Sequence, residues 1–315
     1  MLKCDAVFEG GGVKGIAFIG AIRETEERGY QFQRVAGTSA GSIMAALLAA
    51  GYNGKEIEAL LDELSFPAFL QSGWIGHLPG VGKGLNILFR NGMYNTAGLE
   101  EWMTDKLNKK GICCFGDVPE GKLKIIASDI TNGRIMIIPD DLPLYGLDPA
   151  VFTIARAVRM SCSIPYFFQP VILKQHKKKV YIVDGGLLSN YPVWIFDSEQ
   201  GPRWPTFGYR LRGIDTYQPM DISGPFSMFK AIVTTMLEAH DRRHIEERDA
   251  VRTIFIQVEN IKATDFYLIP EEKQKLVRLG REEARRFFDQ WSFTTYIYRY
   301  RRGQVSIRCQ GKKES

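Results

Sequence analysis

The chain has 315 residues, 45% hydrophobic and 24% charged, with a formal net charge of +5. That balance is close to an average soluble globular protein, and the length suits one large α/β domain or two small ones. The most apolar predicted helix, residues 40–51, falls well short of the ~20 residues a bilayer span needs, so no transmembrane segment is expected.

No secretory signal is expected either, because Asp5 and a Gly-rich motif starting at Gly10 leave no space for an apolar signal core. Five cysteines, at 4, 113, 114, 162 and 309, form no C-x-x-C pair and no metal-ligand spacing. An odd number with two adjacent argues against a disulfide framework and for a reducing compartment. A cytoplasmic protein, peripheral at the membrane, is therefore expected.

In chain order, residues 5–8 read as a short strand ending at a Gly-rich turn. A helix follows, whose Gly15, Ala17, Gly20 and Ala21 would let it lie close against a sheet. Residues 34–37 form a second strand, and residues 40–50 a helix that is apolar nearly all round and so belongs inside. Residues 66–92 mix six glycines with large apolar side chains, which suits a lid over a site or an irregular wall over the core.

Residues 123–128 and 134–138 read as a strand pair around the turn Thr131-Asn132-Gly133. Residues 152–160 form a helix stopped before Pro165, and residues 180–183 a strand ending at Asp184. Residues 206–211 and 253–258 are later strands, with a long helix over residues 226–248 between them. Strands alternating with helices imply an α/β fold with a mostly parallel central sheet covered on both faces. Residues 270–315 hold twelve Lys/Arg against six Asp/Glu, with Tyr296, Tyr298 and Tyr300 among them. This basic extension reads first as a solvated helix face with a frayed end, and second as a surface for anionic membrane or nucleic acid.

Three motifs carry chemistry. Gly37-Thr38-Ser39-Ala40-Gly41 is a G-x-S-x-G at a strand-to-helix junction, where a tight turn lifts a serine hydroxyl above the sheet at a helix N-terminus. A serine there also serves as an ordinary N-cap. Glu9-Gly10-Gly11-Gly12-Val13-Lys14-Gly15 fits a dinucleotide fingerprint, but that reading needs an acid at the end of the next strand. Ser39 stands there instead, so the bare glycines suit an oxyanion hole better.

Asp184-Gly185-Gly186 closes the third motif. If its strand runs parallel to the one before Ser39, Asp184 lies on the same rim. Asp-Gly is equally a hairpin-turn signal. No histidine is well placed for a triad. His77 and His176 precede the acid, and His240 and His244 continue the inner stripe of the long helix. Asp184 is then the candidate base.

Taken in order, these three motifs resemble the patatin-like phospholipase family over about residues 4–260. Ala157-Val-Arg-Met-Ser-Cys-Ser-Ile-Pro165 and Asn190-Tyr-Pro192 resemble its supporting blocks. The resemblance implies a three-layer α/β/α sandwich over residues 1–260; residues 261–315 match none of its features and are expected to form a basic extension packed on the same domain. It implies calcium-independent hydrolysis of phospholipid or lysophospholipid esters, with no cofactor and no metal. Ser39 would be the nucleophile and Asp184 the base. Gly10, Gly11, Gly12 and Ala40 would supply oxyanion N–H groups, while Gly15, Gly37, Gly41, Gly185 and Gly186 support the turns. Lys14 would face a lipid phosphate or be a plain surface lysine. The expected partner is an acyl-lipid substrate at a membrane surface, with no nucleic acid. A soluble carboxylesterase or thioesterase using the same pair is the alternative.

Overall fold

The computed structural model describes residues 1–62, 92–175, 178–198, 201–213, 221–224, 247–259 and 267–299, with a few single positions between. Its elements run β1 (Leu2–Phe8), α1 (Ala17–Glu27), β2 (Tyr30–Thr38), α2 (Ala40–Ala49), α3 (Gly54–Asp62), β3 (Gly92–Tyr94) and α4 (Ala97–Lys109). They continue with β4 (Leu123–Asp129), β5 (Arg134–Ile138), α5 (Ile154–Ser161), β6 (Tyr166–Phe168), β7 (Val171–Gln175) and β8 (Lys178–Asp184). The last are β9 (Thr206–Arg212), α6 (Glu247–Ala250), β10 (Thr253–Gln257) and α7 (Pro270–Gln290).

The fold is α/β, with a central sheet in the order β10-β9-β1-β2-β4-β8-β7 and β5 added beside β4. From β10 to β4 every pairing is parallel, whereas β5, β8 and β7 join antiparallel. Parallel strands bury both faces, and β9 accordingly has six successive buried residues, residues 206–211. Alternate residues Cys4, Ala6 and Phe8 enter the large core with α1, α2, α4 and α5, while Val7 and Ala36 pack with Phe196 in a small second cluster.

Helix α7, beyond residue 260, is built into this core. Helix α7 buries Leu276, Gly280, Ala284 and Phe288, a stripe four residues apart that faces α1. The two helices cross so closely that a Cβ on Gly280 would run into the carbonyl of Ala17, and one on Gly20 into that of Val277. Arg281 and Arg285 reach the buried Glu24, and Arg28 reaches Asp289. Two expectations change here. Ala17 and Gly20 of α1 receive a helix rather than the sheet, and Tyr296 is fully buried against Trp291 and Phe293 rather than presented to a surface.

The expected strands are found, most with longer bounds, although β5 matches at 134–138 and β10 stops one residue early at Gln257; Thr131-Asn132-Gly133 is the β4–β5 turn, held by three hydrogen bonds to Asp129. The Gly-rich segment at 66–91, most of the helix at 226–248, Tyr300 and all four histidines lie outside the described residues. No helix among the described residues is long and apolar enough to cross a membrane.

Overpacking a close backbone contact costs about 1–3 kcal/mol. Gly280→Ala should therefore lower the thermal midpoint by several degrees. An unchanged melt would show that α7 does not bear on the core.

Candidate active site

Strand β4 has two edges, and β5 fills one of them along residues 125–129. On the other edge β2 pairs with residues 123–126 and stops at Thr38, level with Ile126. Strand β8 then takes over that edge from the opposite direction and stops at Asp184, level with Ala127. Two strands thus meet end to end. The condition of parallel strands is not met, because the β7–β8 hairpin turns β8 back toward β2, yet the two ends share the site.

The meeting of ends brings two side chains together. Ser39 Oγ donates to Asp184 Oδ2 at 2.6 Å, a direct bond with no space for a third group between them. Ser39 holds the N-cap position of α2, yet its hydroxyl makes no capping bond. Its φ of 51° lies in the left-handed region, a strain of about 1–3 kcal/mol for a serine. Glycines make the elbow possible. A Cβ on Gly37 would strike Gly41, one on Gly41 the carbonyls of Phe8 and Glu9, and one on Gly15 would crowd Ala40.

Asp184 opens no hairpin. Its Oδ1 accepts from Gly186 N at 2.7 Å and caps the 3-10 turn Gly185–Leu187. A Cβ on Gly185 would meet the carbonyl of Ile126, so glycine is required where the strand ends abut. Burial pushes the Asp184 carboxyl up to about 6, although the bonds from Ser39 and Gly186 N–H pull it down. Burial also raises the neighbouring Cys162 thiol, and the Asp184 charge adds to that, so Cys162 is a neutral wall.

Ser161 is a residue the sequence reading quoted without giving it a task. Where β2 and β8 both stop, the ladder leaves Ser39 N–H and Ile126 C=O without strand partners. Ser161 Oγ fills both positions, accepting from Ser39 N at 2.9 Å and donating to Ile126 O at 2.5 Å. Ser42 steadies the same turn by donating to Ser39 O at 2.6 Å.

The Gly-rich loop lies beside this pair. Gly10 departs from its expected part, because its N–H already donates to Asn190 O at 3.1 Å. Asn190 Nδ2 returns a bond to Gly10 O at 3.1 Å, so Asn190 clamps the loop from both sides. Glu9, fully buried, accepts from Leu211 N at 2.7 Å and pairs with Arg210, anchoring the loop at its root. Gly12 and Ala40 are the first residues of helical turns and Gly11 is the N-cap before Gly12, positions whose N–H groups have no acceptor within the helix. Gly12 has φ 56°, and a Cβ there would strike the Ala263 carbonyl. Lys14 lies half-buried in the 3-10 turn that follows. Among the described residues, no three His, Cys, Asp or Glu side chains gather as metal ligands.

The model of one family, "Patatin-like phospholipase", matches residues 6–197. The chain belongs to the patatin-like phospholipase family. It is similar to uncharacterized protein YqhO of Bacillus subtilis, 45% identical over 291 residues, spanning 92% of this chain and 99% of that one. It is also similar to the cUMP-AMP-activated phospholipase of Escherichia coli, 30% identical over 202 residues, 59% of this chain and 55% of that protein. Among solved structures, this patatin-like chain resembles VipD from Legionella pneumophila, with TM-score 0.56, 20% identity and coverage of 91% and 67%. ExoU of the Pseudomonas aeruginosa type III secretion system gives TM-score 0.51, 18% identity and coverage of 92% and 52%. At these identities the two structures establish a shared fold alone.

The raised carboxyl of this patatin-like site has a consequence for stability. Asp184 binds its proton more tightly when folded than in the unfolded chain, where a carboxylate titrates near 3.9. Below that value both states are protonated and burial is free of charge. Stability then falls as pH rises through about 6, by roughly 3 kcal/mol in all. Asp184→Asn removes this titration. Urea unfolding should find the variant more stable than wild type at pH 8 and nearly equal to it at pH 4; parallel pH curves would contradict the burial argument.

Proposed function

We propose that this protein is a calcium-independent acyl hydrolase of phospholipids or lysophospholipids, with Ser39 as nucleophile and Asp184 as base. The direct 2.6 Å bond between their oxygens is the observation that carries the reading. Membership of the patatin-like phospholipase family supports an ester of a lipid as substrate, as does the phospholipase activity named for the Escherichia coli relative.

The steps follow from the geometry. Asp184 takes the Ser39 proton as Oγ bonds to the acyl carbonyl carbon, and the carbonyl oxygen becomes an oxyanion. The N–H groups of Gly11, Gly12 and Ala40 receive that charge, helped by the positive end of the α2 dipole. Collapse breaks the bond to the lipid alcohol, which leaves with the proton held by Asp184. A water then gives its proton to Asp184 and attacks the acyl-serine, releasing the fatty acid and returning the proton to Ser39. A carboxyl near 6 is largely ionised at pH 7 while remaining a better base than an exposed one. Ser161 acts as a positioning residue, holding the main chain of Ser39 without touching substrate.

Four measurements test this reading. Mass spectrometry of mixed-phospholipid vesicles should show fatty acid released by wild type and none above background by Ser39→Ala; equal release by both would refute the assignment. Rates that ignore vesicles and micelles would favour a soluble carboxylesterase or thioesterase. Because Asp184 must be ionised to accept a proton, activity should rise with pH through a single step near 6. Ser161→Ala strands two buried backbone groups, worth about 1–3 kcal/mol. It should slow fluorophosphonate labelling of Ser39 about tenfold and move the acid limb upward, because a loosened Ser39 no longer favours ionised Asp184. A merely structural serine would lower the melting point and leave that limb in place.

A further inference from the structure

Strands β7 and β8 carry Lys174, Lys178 and Lys179, whose charge the proposed chemistry does not use. Register fixes where they stand. Ile182 is level with Asp129, the last residue of β4, and β8 begins four residues earlier at Lys178. At 3.3 Å per residue the hairpin rises ~13 Å beyond the end of β4 and ~20 Å beyond the level of Asp184. It stands on the rim that holds Ser39.

One face of the hairpin belongs to the core, through Val171, Leu173, Val180 and Ile182. The other face pairs Ile172 with Tyr181 and, next to them, Lys174 with Lys179. Ile172 is 42% exposed, and Ile130, whose N–H donates to Tyr181 O, is 48% exposed. Lys174 and Lys179 are both exposed, with Lys178 beside them at the start of β8. Among the described residues none of these three lysines makes an ion pair.

Like charges placed directly across two strands are destabilising. Edge lysines also discourage sheet-to-sheet aggregation, and beyond Asp129 both strands of the hairpin are edges, but that role does not call for placing two like charges directly opposite one another. A repulsive pair beside exposed isoleucines fits a surface that offers dense negative charge above apolar chains. We infer that the outer face of the β7–β8 hairpin docks the protein on anionic lipid headgroups, setting Ser39 against the bilayer surface. This rests on the hydrolase reading for its purpose, though not for its geometry.

Vesicle co-sedimentation with Ser39→Ala protein separates docking from catalysis. Phosphatidylglycerol vesicles should bind it, phosphatidylcholine vesicles should bind it far less, and salt should release it. Each lysine near an anionic surface contributes about fivefold, so Lys174→Gln with Lys179→Gln should weaken binding about 25-fold. The same pair of changes, made with Ser39 intact, should leave hydrolysis of a monomeric short-chain ester unchanged. Lys179→Glu converts repulsion to attraction across the strands. It should keep or raise the melting temperature while weakening vesicle binding, a split that a structural role does not produce. Equal binding to both vesicle types, or binding indifferent to the lysine changes, would overturn the inference. So would tight binding to heparin or DNA with none to vesicles. Anionic-vesicle binding in a protein with no esterase activity would sustain docking while removing the hydrolase reading.

Discussion

Everything at this site depends on two strands sharing one edge of a third and meeting end to end. A strand that simply ran past Thr38 would bury Ser39 in a ladder, and a parallel β8 would carry Asp184 away from it. Because β8 returns antiparallel and stops level with Ala127, a carboxylate and a hydroxyl are left facing each other at 2.6 Å. The break in the ladder has a cost in unpaired backbone groups, and Ser161 meets it with a single hydroxyl that accepts from one strand end and donates to β4.

Such a site is held against its own local preferences. Ser39 sits at positive φ, and Asp184 is buried with its carboxyl raised. Each feature is unfavourable by itself, so the surrounding structure must over-determine it. The elbow glycines remove the atoms that would force the turn open, and α2 and the sheet fix its two arms. The close crossing of α1 by α7 belongs to the same frame, because α1 follows directly from the Gly-rich loop beside Ser39. Asn190 and Glu9 grip that loop at its root, at the adjacent residues Gly10 and Glu9.

Much of this was legible in the residues. The strands before Ser39 and Asp184 announced themselves as short apolar runs ending in glycine-bounded motifs, and the β4–β5 turn by its Asn-Gly. Other elements carry a fainter signal. Leu99, Met103 and Leu107 recur every four residues and form the buried stripe of α4. The stripe of α7 was hidden for a physical reason. Two of its four buried positions are Gly280 and Ala284, small because the helices touch backbone to backbone, so the charged residues around them dominate the pattern. Strand β7 alternates Val171 and Leu173 inward with Ile172 and Lys174 outward, but its exposed isoleucine blurred the period of two.

The sequence by itself determined which atoms are available: a serine on a glycine-lined elbow, an aspartate at a strand end, and a loop of bare N–H groups. Residue type and local spacing carry that information, because turns and helix starts are decided within a few residues. Only the tertiary structure decided that the two strand ends oppose one another, that Gly10's N–H is spent on Asn190, and that Ser161 bridges the gap. These are long-range pairings, separated by 122 residues between Ser39 and Ser161 and 145 between Ser39 and Asp184. Local sequence fixes the direction of neither partner strand; the edge of β4 does.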